Sequence, residues 1–205
     1  MLDQLFVNTV SRSYSDCLLS LLKSNDWISN SSAISRLSCL DACKKSFAPN
    51  IKKEFFCDNP VKIRNENGMN TPGLLLDRLS ILHCKYHLSI SAPQERTAYQ
   101  ISNIERALLN CGYTETALLE KEQVVTNCKV SSSELCIETF MQLHFSNIAM
   151  WINQDLLYTK SPEKASLRRL RDYLVFFKES NELRNKAIAA IDDAAMVYAK
   201  MLLPT

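Results

Sequence analysis

The stretch LRRLRDYLVFFKESNELRNKAIAAIDDAAMVYAKML, residues 167–202, decides the fold. One set of its positions recurs at intervals of three and four residues, which is typical of a helix that packs against others along a heptad seam. The seam comprises Leu167, Leu170, Leu174, Phe177, Asn181, Arg184, Ile188, Ile191, Ala195, Tyr198 and Leu202. Because neither proline nor glycine interrupts it, we expect one unbroken helix of ~55–60 Å. The alternative is a break near Glu179 and Ser180 that gives two antiparallel helices.

Helix start signals extend this interpretation over the rest of the chain. Ser161-Pro162-Glu163 combines a capping residue, a proline and an acid at the positive end of the helix dipole, and Thr71-Pro72 opens another helix in the same way. The predicted helices cover residues 2–22, 33–46, 72–90, 94–111, 115–127, 134–158 and 163–202. The fold class that follows is all-α, a multi-helix bundle with a long C-terminal helix.

The composition favours a helical fold and argues against several classes of enzyme. Only three of the 205 residues are glycine, whereas strand-rich folds use glycine for tight turns and bulges. The positions of Gly68, Gly73 and Gly112 match neither a glycine-rich nucleotide loop nor the GxSxG hydrolase elbow. Dinucleotide-binding, P-loop and hydrolase functions are therefore not expected, and the sequence indicates no cofactor.

We expect one domain over residues 1–205. Residues 1–70 supply N-terminal helices and a long loop, and residues 71–203 form the core bundle. The eight cysteines are dispersed and no signal peptide is evident, so the expected location is the cytoplasm. No apolar run approaches the ~20 residues of a membrane span. A net charge of +2 is too small to indicate a nucleic-acid partner, and the basic stretch of residues 160–171 is interpreted as a solvated helix face.

Polar residues occupy apolar stripes on three of the predicted helices. Burying them without partners would cost a few kcal/mol each, so we expect them to meet in one place. The predicted cluster comprises Asp77, Arg78, Lys85, His144, Asn147, Trp151, Asn181 and Arg184.

Two interpretations of this cluster are open. In the first, it is a pocket for a small anionic ligand, bound through Arg78, Lys85 and Arg184, with His144 as a proton shuttle. In the second, it is an internal network that pairs Asp77 with an arginine and Asn181 with His144, and that sets the register of the helices. If closed, the cluster would be net positive, unless a further acid such as Asp155 or Asp192 joined it.

Three segments of the chain resemble one known family. TPGLLLDRLSIL (residues 71–82) with Lys85, LHFSNIAMW (143–151) and NELRN (181–185) are similar to motifs of an uncharacterised bacterial helical family, domain of unknown function 4254. The resemblance covers roughly residues 71–199, and Gln154-Asp155 keeps only half of an acidic pair in that family's pattern. It implies an all-helical fold and the same group of polar residues, but no known reaction.

A metal site is not expected. His83 and His87 are four residues apart on a helix, as in zinc sites, but position 84 is Cys, where HExxH has its glutamate. We interpret them as surface histidines.

Two classes of function remain open. The first is a non-catalytic helical bundle that acts through protein–protein interaction, and the second is an anionic-ligand binder or an enzyme that uses the polar cluster. A long heptad helix can offer more apolar surface than its own bundle covers, so we expect a homodimer or another protein partner.

Overall fold

The computed structural model describes residues 4–23, 71–89, 93–111, 132–159 and 166–201. These residues form five helices and no strand. The helices are α1 (Gln4–Lys23), α2 (Pro72–Leu88), α3 (Gln94–Asn110), α4 (Ser132–Thr159) and α5 (Leu167–Met201). The predicted all-α class is therefore confirmed for the described part of the chain.

The long C-terminal helix is unbroken, as predicted. α5 contains 35 residues, which corresponds to ~52 Å at 1.5 Å per residue. It begins at Leu167, later than the predicted residue 163, and the expected start signal at residues 161–163 lies outside the described residues. The predicted helices 33–46 and 115–127, and the loop of residues 49–70, also lie outside them.

α2 occupies the centre of the bundle and packs against each of the other four helices. Thr71 caps it, because its hydroxyl oxygen accepts a hydrogen bond from the backbone N–H of Leu74 at 3.3 Å. Pro72 takes the first helical position, where its missing N–H costs no hydrogen bond. Leu75, Leu76 and Leu79 are almost completely buried and anchor the helix in the core.

The hydrophobic core lies around α2 and joins side chains from all five helices. Its fully buried members include large residues of α1, α2, α3 and α4, and Ala187 and Ile191 close it on the α5 side. The largest of these side chains belong to Tyr14, Phe140, Leu18, Leu75, Leu76, Leu79, Leu108, Leu143 and Ile148.

Only part of the predicted seam of α5 is buried. Ile191 and Ala195 are buried as expected, but Leu167 is 86% exposed and Leu174 is 72% exposed. Asn181, seven residues further on, is exposed as well. The prediction of a buried seam over the whole helix is therefore wrong for its N-terminal half.

The N-terminus of α2 is held by a carboxylate of α5. Asp192 accepts hydrogen bonds from the backbone N–H of Gly73 and from the hydroxyl of Thr71, each at 2.7 Å. A negative charge at this end of a helix is stabilising because the unpaired N–H groups there carry partial positive charge. This position therefore fixes α2 against α5.

Gly73 permits this contact because it has no side chain. A Cβ atom at Gly73 would lie 2.5 Å from the carbonyl oxygen of Ile188 and 2.9 Å from Oδ1 of Asp192. Both distances are shorter than van der Waals contact, and the nearer atom belongs to the backbone of α5. The two helices can therefore approach this closely only with glycine at position 73.

None of the described helices is long and apolar enough to cross a membrane.

Gly73→Ala is expected to destabilise the protein by about 1–3 kcal/mol, the usual cost of overpacking. The added methyl group must push α5 away from α2, since the Ile188 carbonyl cannot rotate aside. Urea denaturation would measure the change, with Ser102→Ala on the exposed face of α3 as the control. Equal stability of the two variants would contradict the close approach.

Candidate functional site

A buried ion pair joins α2 to α5. The side chain of Asp77 is 4% exposed and that of Arg184 is 26% exposed. Nε of Arg184 donates to Oδ1 of Asp77 at 2.6 Å, and Nη2 donates to Oδ2 at 2.5 Å. The hydrogen bonds that Arg184 donates to Asp77 raise the pKa of Arg184 above its ordinary value, against the opposing effect of burial. The two-pronged geometry fixes both partners.

Asn147 links this pair to a histidine on α4. Its side-chain amide donates to Oδ1 of Asp77 at 2.9 Å and to the hydroxyl oxygen of Ser80 at 3.1 Å. Ser80 in turn lies 2.7 Å from Nδ1 of His144. The other ring nitrogen of His144, Nε2, lies 3.1 Å from the backbone carbonyl oxygen of Tyr14 on α1. One chain of hydrogen bonds thus crosses four helices.

The chemistry of these groups assigns every hydrogen in the chain. A carbonyl oxygen only accepts, so Nε2 of His144 carries the ring hydrogen and donates it to Tyr14. Nδ1 of His144 then accepts from the hydroxyl of Ser80, whose oxygen accepts from Asn147. Burial lowers the pKa of His144 well below its ordinary value of 6.5. His144 is therefore held neutral with both ring nitrogens engaged.

Four of the eight predicted cluster residues meet in this network: Asp77, His144, Asn147 and Arg184. Asn181 lies at its outer edge, where its side-chain oxygen accepts a hydrogen bond from Nη1 of Arg184 at 3.4 Å. The expected burial of Asn181 on the packed seam of α5 is wrong, because its side chain is exposed. The expected bond between Asn181 and His144 is also wrong, since His144 bonds to Ser80 and Tyr14.

The remaining three predicted residues are Arg78, Lys85 and Trp151. Arg78 follows Asp77 on the helix and is exposed, because successive helical residues point about 100° apart. Lys85 and Trp151 are partly buried, and Trp151 packs against the hydrophobic core. Nε1 of Trp151 is buried without a hydrogen-bond partner among the described residues.

The predicted net positive cluster does not form. Asp77 matches the charge of Arg184, and Arg78 lies on the surface. Asp192, considered as a further acid, binds the N-terminus of α2 instead, and the side chain of Asp155 lies outside the described residues. The expected pairing of Asp77 with an arginine is confirmed.

A second polar cluster lies between α1, α2 and α3. The hydroxyl of Ser11 donates to Oε1 of Glu105 at 2.5 Å, and its oxygen lies 2.9 Å from Nε2 of His83. One turn further on, Ser15 lies 2.9 Å from Nε2 of His87. Since Ser11 gives its only hydrogen to Glu105, Nε2 of His83 donates to Ser11 and Nδ1 carries no hydrogen.

The expectation that His83 is a surface residue is wrong, since it is only 6% exposed. Burial, with a smaller contribution from the neighbouring His87, lowers the pKa of His83 to about 4. Burial also lowers the pKa of His87. The two rings lie nearly parallel with centroids 6.2 Å apart, and among the described residues no group of three potential ligands could hold a metal ion.

Sequence reasoning missed the serines and the glutamate of both clusters. Ser80, Ser11 and Ser15 are short side chains that occur on either face of a helix, so their spacing carries no signal. Glu105 precedes the exposed Arg106 on α3, and a charged residue in such a position is more often solvated than bonded to another helix. The spacing of His83 and His87 was the only available indication, and it correctly placed both rings on one face of α2.

No protein-family model matches this chain, and neither a curated protein nor a solved structure is significantly similar to it. Membership of the helical family suggested by residues 71–82 therefore stays a prediction.

Asp77→Ala is expected to destabilise the protein by about 3 kcal/mol, because it removes the opposite charge of Arg184 and one of the two acceptors of Asn147. Asp16→Ala is the matched control, since Asp16 faces Arg12 in an exposed pair at 3.7 Å and such pairs contribute ~0–1 kcal/mol. The double variant Asp77→Leu/Arg184→Leu should recover much of the loss by removing both charges. Urea denaturation would measure the free energy of unfolding of each variant. An Asp77→Ala variant as stable as Asp16→Ala would refute the network.

Acid should destabilise the protein before its carboxylates titrate. The unfolded chain binds a proton at His83 near pH 6.5, whereas the folded chain binds it only near pH 4, so stability is present in full above pH 6.5 and falls as the pH drops towards 4. Between pH 7 and pH 5, His83 alone accounts for about 2 kcal/mol. His83→Gln should flatten the pH dependence of the urea midpoint; an unchanged slope would disprove the assignment.

Proposed function

We propose that this chain is a non-catalytic helical-bundle protein that acts through protein–protein contact, and that the N-terminal half of α5 forms the contact surface. The observation that supports this proposal is the exposure of apolar side chains there. Leu167, Leu174 and Val175 are 86%, 72% and 47% exposed, on the same helix that buries Ala187, Ile191 and Ala195 in the bundle. We call residues 167–183 the outer segment of α5.

Exposure of three large apolar residues along one helix has a free-energy cost that a partner can remove. Burying a leucine side chain stabilises a complex by about 1.5–3 kcal/mol. Rigid helices also make good contact surfaces, because little conformational entropy is lost when they bind. The outer segment belongs to an unbroken helix that the bundle already holds at Arg184, Ala187 and Ile191.

The buried polar network supports the same proposal indirectly. Each of its hydrogen bonds runs between residues of the chain, and Asp77 matches the charge that an anionic ligand would need from Arg184. His144 is neutral and fully buried, so a role in proton transfer to a ligand has little support. The network serves to set the register of the helices, and the proposal includes a cytoplasmic location.

A photoreactive amino acid tests the contact surface directly. p-Benzoylphenylalanine at Leu174 is expected to give a discrete protein adduct after illumination in the native cells, identified by mass spectrometry. The same amino acid at Tyr99, which is 68% exposed on α3, is the control and should give none. Absence of an adduct at Leu174, or equal yields at both positions, would count against the proposed function.

A further inference from the structure

Apart from Arg169, the charged residues of the outer segment are arranged symmetrically about Val175. Three residues to either side lie Asp172 and Lys178, and four residues to either side lie Arg171 and Glu179. Seven residues to either side lie Arg168 and Glu182. In each of the three pairs, one member is acidic and the other is basic.

The six paired side chains lie on one exposed face of α5. Offsets of three, four and seven residues return to the same face of a helix. The structure agrees, since Val175 and the six charged residues are all exposed, while the opposite face carries the buried Ser180 and Ala187. The symmetric pattern therefore belongs to a single surface and not only to the sequence.

We propose that the outer segment binds a second copy of this chain, with the two helices antiparallel and a twofold axis passing beside Val175. This inference rests on the proposed function and names its partner. In that arrangement a residue at a given offset before Val175 lies level with the residue at the same offset after Val175 in the other copy. Arg168 then meets Glu182, Arg171 meets Glu179, and Asp172 meets Lys178.

Twofold symmetry makes each of these ion pairs twice. The Lys178–Glu182 pair within one helix, 3.9 Å apart and well exposed, leaves both groups within reach of the second copy. Parallel pairing in register would instead set Arg168 beside Arg168 and Glu182 beside Glu182. Charges of this kind determine orientation more than affinity, so the pattern selects the antiparallel arrangement.

Val175, which is 47% exposed, is the apolar side chain at the centre of the face where the two helices would touch. Leu174 points about 100° away from Val175 around the helix and therefore lies at the side of the contact. The contact extends from residue 168 to residue 182, which is ~21 Å of helix. A contact of this size belongs to the small, weakly associating class of interfaces, and self-association should therefore be examined over a wide range of concentration.

Charge reversal tests the proposed pairing. Because both copies carry the same substitution, one reversed charge creates two repulsive contacts in the pair of helices. Arg171→Glu sets two glutamates against each other twice, and Glu179→Arg sets two arginines against each other twice. Each single variant is expected to raise the dissociation constant of self-association by at least about tenfold. The double variant Arg171→Glu/Glu179→Arg restores opposite charges and should return to the wild-type value.

A mixture of the two single variants gives the sharpest result. One variant then presents glutamate at both positions and the other presents arginine at both, so a mixed pair has opposite charges at every contact. Sedimentation equilibrium is expected to show association of the mixture at twice the chain mass of 23.3 kDa, while each variant alone stays largely monomeric. Arg106→Glu, on the exposed face of α3, is the control and should associate like the wild type.

Two results would overturn the antiparallel pairing. One is a wild-type chain that stays monomeric up to about 500 µM, beyond the range of weak interfaces. The other is self-association that responds to the charge reversals no more than to Arg106→Glu. Neither result removes the proposed function, which the photoadduct at Leu174 tests separately through its mass: a different protein on this surface would leave that function standing and exclude the second copy.

Discussion

The carboxylate of Asp77 imposes the main constraint on this bundle. A charge this deeply buried has to be matched by an opposite charge and by hydrogen-bond donors, or the folded state loses several kcal/mol. Arg184 of α5 supplies the charge and Asn147 of α4 supplies a further donor. The positions of two helices relative to α2 are therefore set by one side chain, and a shift by one turn would leave all three groups without partners.

Further polar contacts join α2 to the neighbouring helices. Ser80 engages His144 of α4, His83 engages Ser11 of α1, and the backbone of Gly73 engages Asp192 of α5. Apolar side chains around these groups supply most of the stabilisation, because area removed from water is the dominant favourable contribution to folding. The polar contacts, in contrast, are directional and allow few alternative packings.

The sequence was informative about the fold and about part of the site. Helix α5 follows from the absence of proline and glycine, and Asp77, His144, Asn147 and Arg184 follow from the cost of placing polar groups on apolar stripes. The prediction that the seam of α5 is buried is wrong for its N-terminal half, and the reason is geometric. A straight helix turns ~20° per heptad relative to a strict seven-residue repeat. Leu167, Leu174 and Asn181 are consequently rotated out of the core. The serine contacts could not be predicted from the sequence, because serine occurs on both buried and exposed faces of helices. Its partner is determined only by how the helices pack.

The continuity of α5 gives the molecule a mechanical property. The bundle holds this stiff helix at Arg184, Ala187 and Ile191. Val175 lies ~14 Å from Arg184 towards the N-terminus of α5, and Asp192 lies ~12 Å from it towards the C-terminus, so a force applied at Val175 is carried along the helix towards Asp192. The carboxylate of Asp192 is bonded to the first turn of α2. A load on the outer surface of α5 would thus be transmitted to the start of the central helix.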